Sequence, residues 1–381
     1  MERVAAAGSR PSSFGAPSGG ADGDGTPPAG GRGGLRVPVA PLALGGAIAA
    51  VVATVAVVLL TGGDADGGGG GAGGGREPTT PDTPRSSLSA DPPVASLTRP
   101  LSLAFRGDDL VVLSGDGFLR AVDADRATET RWGMNVGGGA NDVAAGFGSL
   151  WVTKHNTGSL LKIDPRTRHH RKPSGFTRSK GRPVAVATGE GAVWVATNEG
   201  TGPGRCEDEG SGPGHVNKVT PQGTVTKQIP VDGKICDIAV GYRAVWVTTS
   251  SPSAVVRIPV QGGEPQTIEI RGKPHGLAIG EGAVWVADHG DRSITRIGRR
   301  TWRREPRSVA LEYEPERVAV GGGSVWVTAR RANQLIRIDP RRRTRESIST
   351  GIEPYAVGVH RGRVWLTLLG KEQIQRVRFT G

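Results

Sequence analysis

From Leu101 onward the chain alternates apolar and polar residues in short runs, each broken by a glycine-rich step. The clearest stretch reads Leu277-Ala-Ile, then Gly280-Glu-Gly, then Ala283-Val-Trp-Val-Ala, and shortly afterwards Ser293-Ile-Thr-Arg-Ile-Gly. Period-two alternation across a tight Gly turn predicts a β-hairpin, and Val, Ile, Thr and Trp suit a half-buried pleated surface. The same pattern returns with Val111, Trp151, Trp194, Trp246, Trp285, Trp326 and Trp365 as anchors, in steps of 39 to 43 residues and one of 52. A period near 40 with four strand-like runs per unit predicts β-propeller blades. The expected architecture is therefore all-β: a seven-bladed β-propeller over residues 93–381, closed by an N-terminal strand.

Within each unit the positions take on roles. The anchor Trp is a wedge between blades, because one four-stranded blade cannot bury both of its own faces. A basic residue lies eleven past the anchor as Lys162, Arg257, Arg296, Arg337 and Arg376. The third unit has Lys218 instead, shifted by an insertion in the hairpin after Trp194. These side chains are expected on a blade face, stem packed and charge directed outward. The last unit lacks a fourth strand. The run Val94–Thr98 is expected to supply it beside Gln373–Phe379, leaving no open sheet edge.

The segment before the repeats changes the picture. Residues 1–36 are rich in Gly, Ala, Pro and Ser and are expected to be disordered and cytoplasmic. Residues 37–60 carry no charge and match the length of a membrane-spanning helix. Arg32 and Arg36 precede that run and Asp64 and Asp66 follow it, which favours a cytoplasmic N-terminus and an extracytoplasmic propeller at the cell membrane. A cleaved signal peptide is the rival reading. Residues 61–92 read as a Gly/Pro/Thr-rich linker. The chain's two cysteines, Cys206 and Cys236, fall at one end of the blades, and an oxidising compartment would let them bond.

Charge adds a second feature. The formal net charge is +12, and arginines cluster at 299, 300, 303 and 304 and again at 341, 342, 343 and 345. Both clusters occupy turns between third and fourth strands of successive units, which predicts one basic patch. Anionic envelope polymers or lipid head groups are its expected partners. Nucleic acid is not an expected partner, since the propeller is read as lying outside the membrane.

The recurring Gly-x-Gly-x-Val-Trp-Val and Leu335-Ile-Arg-Ile-Asp-Pro340 patterns resemble the virginiamycin B lyase-like and NHL-like propellers. The resemblance covers residues 94–381 and implies the propeller fold. Its lyase members imply a metal-assisted site built from His and Glu of several blades. Such blades often read Trp-Phe-Thr-Glu, whereas here the third residue past the anchor is Lys154, Thr197, Thr249, Asp288, Ala329 or Leu368. Only Asp288 is a carboxylate.

Candidate site residues follow from where the repeats disagree. Ten before the anchors stand Leu101, Asn141, Val184, Cys236, His275, Glu316 and Tyr355, expected to ring the channel mouth. Near them, after the second strands, lie Lys154, His155, Asn198, Asp288, His289 and Arg330. Unlike residues at equivalent positions are what an asymmetric site requires. The densest chemistry falls in units five to seven: His275, Asp288, His289, Glu316, Arg317, Arg330 and Tyr355. These can bind a small ligand, hold a divalent metal or move a proton. No organic cofactor is expected. Two functions remain: a membrane-anchored module binding a small molecule, glycan or protein, or a metal-assisted lyase or hydrolase.

Overall fold

The computed structural model describes residues 88–94, 97–126, 130–176, 181–200 and 212–379. The apolar run 37–60, most of the expected linker and Cys206 lie outside the described residues. Seven four-stranded antiparallel sheets follow one another in chain order. Within each blade the first two strands pair across the expected glycine turn. In blade 5 these are Pro274–Gly280 and Ala283–Asp288, with Ala278 opposite Trp285. No helix among the described residues is long and apolar enough to cross a membrane.

The wedge role of the anchors is plain in the packing. All six anchor Trp are at most 1% exposed, and in blades 2 to 6 each indole N–H donates to the carbonyl of the glycine five residues earlier, at 3.0–3.3 Å. That glycine lies against the next blade. A Cβ on Gly280 would come within 2.5 Å of Val320, so glycine is needed there for close approach of the two sheets.

The basic residue of the third strand has a more specific role than an outward-pointing charge. It stands directly across from the anchor in the sheet register, as Trp285 opposite Arg296. Its cationic group sits 5.4–5.8 Å from the ring centre in each of the six Trp blades. A cation over an indole is stabilised by the ring quadrupole by about 0.5–2 kcal/mol, more as the pair is desolvated.

Ring closure is achieved by the N-terminal side of the chain, but further upstream than the sequence suggested. The fourth strand of blade 7 is Leu88–Ala90, paired with Val377–Phe379, rather than Val94–Thr98. A strand thus falls inside the stretch expected to be linker. Downstream, Val94 makes a single bridge to Ile374, and the amide of Leu97 donates to Glu372. Asp91 fixes the junction: its carboxylate pairs with Arg376 at 2.5 Å and with Arg378 at 3.1 Å. Leu97, 1% exposed, packs with Leu110, Trp365 and Ile374 between the last blade and the first. The strand lies upstream because Leu88 fills the apolar cluster of Trp326, Leu335 and Val377, while Val94 and Leu97 pack in a separate cluster between the last blade and the first.

Truncation tests the closure. A chain beginning at Asp91 should unfold at a lower temperature than one beginning ahead of Leu88, and a chain beginning at Pro100 lower again; equal thermal midpoints would refute the clasp. The substitution Gly280→Ala should cost about 1–3 kcal/mol in denaturant unfolding through overpacking against Val320.

Candidate functional site

Antiparallel order dictates which ends of the strands meet. Each first strand starts, and each second strand ends, at one mouth of the central channel, as the pairing of Pro274 with Asp288 shows. A cavity of about 400 Å³ opens there, and all seven residues ten before the anchors line it: Leu101, Asn141, Val184, Cys236, His275, Glu316 and Tyr355. Threonines two past the anchors hold the ring at this level. Thr248 donates to the carbonyl of His275 at 2.6 Å, and Thr328 to that of Tyr355 at 2.9 Å, each reaching the next blade.

Blades 5 and 6 approach closely at the mouth. Gly276 donates its N–H to the carbonyl of Glu316 at 3.2 Å, and a Cβ there would stand 2.9 Å from that oxygen. This contact sets His275 beside Glu316, with Nδ1 3.6 Å from Oε1 and both residues only 6% exposed. His289 stacks on His275 with ring centres 4.7 Å apart. Its Nδ1 faces the carbonyl of Pro315 at 3.2 Å, and its Nε2 faces Glu314 at 3.5 Å. Arg330, at the start of a short 3-10 turn, places Nε 3.8 Å from the other oxygen of Glu316. Burial by itself would raise the Glu316 carboxyl. The hydrogen bond and charge of His275, joined by Arg317 and Arg330, outweigh it and hold the group down at about 2.

Deeper in the channel Arg317 crosses between blades. It pairs with Asp237 at 3.2 Å and donates to the Tyr355 hydroxyl at 2.8 Å. Burial opposes its charge, but Tyr355 and Asp237 hold it firmly protonated. Asp237 and Asp142 occupy the same repeat position, nine before their anchors, and make the same inter-blade bonds. Asp142 accepts from its own neighbour Val143 at 2.9 Å and from Val186 of the next blade at 2.8 Å. Asp237 does likewise with Ile238 and Leu277. Ser102, the equivalent residue of blade 1, donates to Asp142 at 2.7 Å and accepts from Val143 at 3.3 Å. Enclosure among the blades raises the Asp142 carboxyl to about 6, a shift that Ser102 and the Val186 amide oppose and the nearby Asp237 charge reinforces.

Of the residues singled out from the sequence, His275, Glu316, Arg317, Arg330 and Tyr355 line the cavity, and His289 stands against His275. Asp288 does not join them. Its carboxylate faces the backbone of Gly272, Lys273 and Asp291, where burial raises its pKa, so it organises the turn outside the cavity. Two other candidates also serve the scaffold. Lys154 donates to the carbonyl of Val136, and Asn198 bonds both backbone groups of Ile235. Cys236 is disulfide-bonded, and its expected partner Cys206 lies outside the described residues. Asp142, Asp237 and Glu314 were missed. A signal for the first two existed: the position nine before the anchor is Ser, Asp, Asp and Arg in blades 1, 2, 4 and 6 and small elsewhere.

Among the described residues, the donor set that approaches a metal-binding arrangement is His275, His289 and Glu316, whose ligand atoms lie within 4.8 Å of one another. Two ligands on one tetrahedral zinc-like ion stand about 3.4 Å apart. The set would hold a divalent cation only after closing by about an ångström, with His289 turning from Glu314.

No family model matches the chain, and no curated protein does so. Solved structures do. A streptogramin B lyase superposes with a TM-score of 0.63 at 17% identity, over 77% of this chain and 97% of that one. The virginiamycin B lyase from Staphylococcus aureus gives 0.62 at 16%, covering 77% and 99%. A catalytically inactive His-to-Ala variant of that enzyme, with quinupristin, gives 0.61 at 16%, again covering 77% and 99%. The chain thus carries a virginiamycin B lyase-like propeller fold.

Asp142 makes the channel sensitive to acid in a defined direction. The folded chain holds its proton up to about 6, whereas the ordinary carboxyl releases it near 3.8. Stability from this group is therefore complete at low pH and is lost as pH rises from about 4 through about 6. In Asp142→Asn, the stability-versus-pH curve should lose up to one proton of downward slope across that window, as read by thermal unfolding at a series of pH values. An unchanged curve would count against the assignment.

Proposed function

We propose that this propeller is a ligand-binding module whose occupant is a small, polar, ionisable molecule seated at the channel mouth. The observation that carries the reading is the convergence of unlike residues from one repeat position on a single cavity of about 400 Å³. That volume falls in the range of small-molecule pockets. The lining offers charge of both signs, with Glu316, Asp142 and Asp237 against Arg317 and Arg330, and a phenol and an imidazole between them. Six Trp wedges hold these groups on rigid strands, so binding costs little ordering.

We further propose that the apolar run 37–60 anchors the chain in a membrane with the propeller outside. Its charge-free composition supports this, and so does the disulfide at Cys236, since such bonds persist in oxidising compartments.

A second reading, a metal-assisted lyase, is favoured by one observation, the approach of His275, His289 and Glu316. Bound there, a divalent ion would supply Lewis acidity. Without an ion, the imidazole of His275 beside Glu316 would instead hold or move a proton at Nδ1. The proteins of similar fold include a streptogramin B lyase and an inactive virginiamycin B lyase variant with quinupristin, which makes quinupristin the natural probe.

A thermal-shift screen of small ionisable metabolites tests the first reading. A true occupant should raise the melting temperature of the native chain, by mass action equivalent to about 2.7 kcal/mol at a hundred times Kd. It should leave that of His275→Ala/Glu316→Ala unmoved, the variant itself melting within a few degrees of native. The second reading expects manganese-dependent loss of quinupristin, abolished by His289→Ala. Quinupristin left intact with manganese present would remove it.

A further inference from the structure

The two faces of the ring differ in charge, and the path of the chain shows which of them the N-terminal segment leaves from. Third strands run away from the cavity, so the turns that follow them lie on the opposite face. In blade 5 that turn carries Arg299, Arg300, Arg303 and Arg304, and in blade 6 the next holds Arg341, Arg342 and Arg345. All but the half-buried Arg304 are exposed. The acids nearby are largely occupied. Glu305 is taken by Arg296 and Arg343, Glu346 by Arg337, and Asp339 by the backbone amides of Arg341 and Arg342. Glu281, on the adjoining turn of blade 5, is an exposed acid of the same face. Arg299 is held over the Tyr242 ring at 4.8 Å.

The closing strand is antiparallel to Gln373–Phe379 and pairs Leu88 with Phe379, the end remote from the cavity. Residue 88 therefore enters the propeller from the arginine face. It does so next to blade 6, where Leu88 packs with Trp326 and Leu335 and the closing strand runs beside Arg345–Ser349. Ahead of it in sequence, residues 61–87 separate this point from the charge-free run 37–60. A coil of that length spans about 30 Å.

We infer that the arginine face of blades 5 and 6 is a docking surface for an anionic lipid bilayer, leaving the cavity turned toward the surrounding medium. Lipid phosphates suit guanidinium groups, which bind them bidentately. The attraction acts within a Debye length of the surface, about 8 Å at physiological salt. A patch of modest affinity suffices, because a tethered surface meets its target at millimolar effective concentration. The geometry of this inference rests on the membrane-anchor reading, and its chemistry rests on the arginines alone.

The full chain in phospholipid nanodiscs, with and without phosphatidylglycerol, tests it by hydrogen exchange. Amides of residues 299–304 and 341–345 should exchange several-fold more slowly in the anionic discs than in phosphatidylcholine, while turns at the cavity face do not change. The variant Arg299→Glu/Arg300→Glu/Arg341→Glu/Arg342→Glu, with an unchanged melting temperature, should lose the difference. Equal exchange in both lipids overturns the docking surface. If the chain does not enter the discs at all, the anchor reading fails separately. In that case salt-sensitive binding of the soluble chain to phosphatidylglycerol vesicles, lost in the variant, still upholds the surface, and its absence overturns it. Binding to polyphosphate without any lipid-dependent protection overturns the bilayer assignment in favour of a soluble polyanion.

Discussion

Every blade of this protein has two apolar faces and can cover neither alone. The whole structure depends on neighbouring sheets meeting closely enough to exclude water, seven times around a closed circle. Trp285 shows how that is done. Its ring is fully buried, its N–H is satisfied by Gly280, and Arg296 lies over its face. Gly280, lacking a side chain, lets the next blade approach. Each element is a consequence of the one before: the wedge needs the glycine, and the buried indole needs both an acceptor and a compensated neighbour.

A closed ring of this kind concentrates its polar chemistry at the centre. The first strands converge there, and their backbone groups and side chains must be satisfied between blades. Asp142, Asp237, Thr248 and Thr328 do this by bonding the following blade. The channel is consequently a belt of structural polar groups with the candidate site built on top of it. Arg317 belongs to both, since it neutralises Asp237 and positions the Tyr355 hydroxyl at the cavity wall. Substitutions there will mix stability with recognition. His275 and Glu316 are better separated from the belt, because their backbone contacts do not depend on their side chains.

The two faces then divide the work. One holds the cavity and its imidazoles, and the other holds the arginine turns and the start of the closing strand at Leu88. Strand count alone produces this division: four strands per blade and an antiparallel order send alternate turns to opposite faces.

The sequence by itself determined the number of blades, the wedge positions and the ring of mouth residues ten before each anchor. These depend on local periodicity, which a repeated unit writes out seven times. Tertiary structure decided what periodicity does not encode. It placed the closing strand at Leu88–Ala90 rather than Val94–Thr98, because pairing across the ring is chosen by the apolar space beside Trp326 and Val377. It turned Asp288 toward the backbone of its own loop and brought His289 onto His275, since a side chain's direction past the end of a strand is set by the turn it packs under. It also joined Asp142, Asp237 and Arg317, residues far apart in the chain, into one network. Their proximity follows from the closing of the circle, and no single repeat contains it.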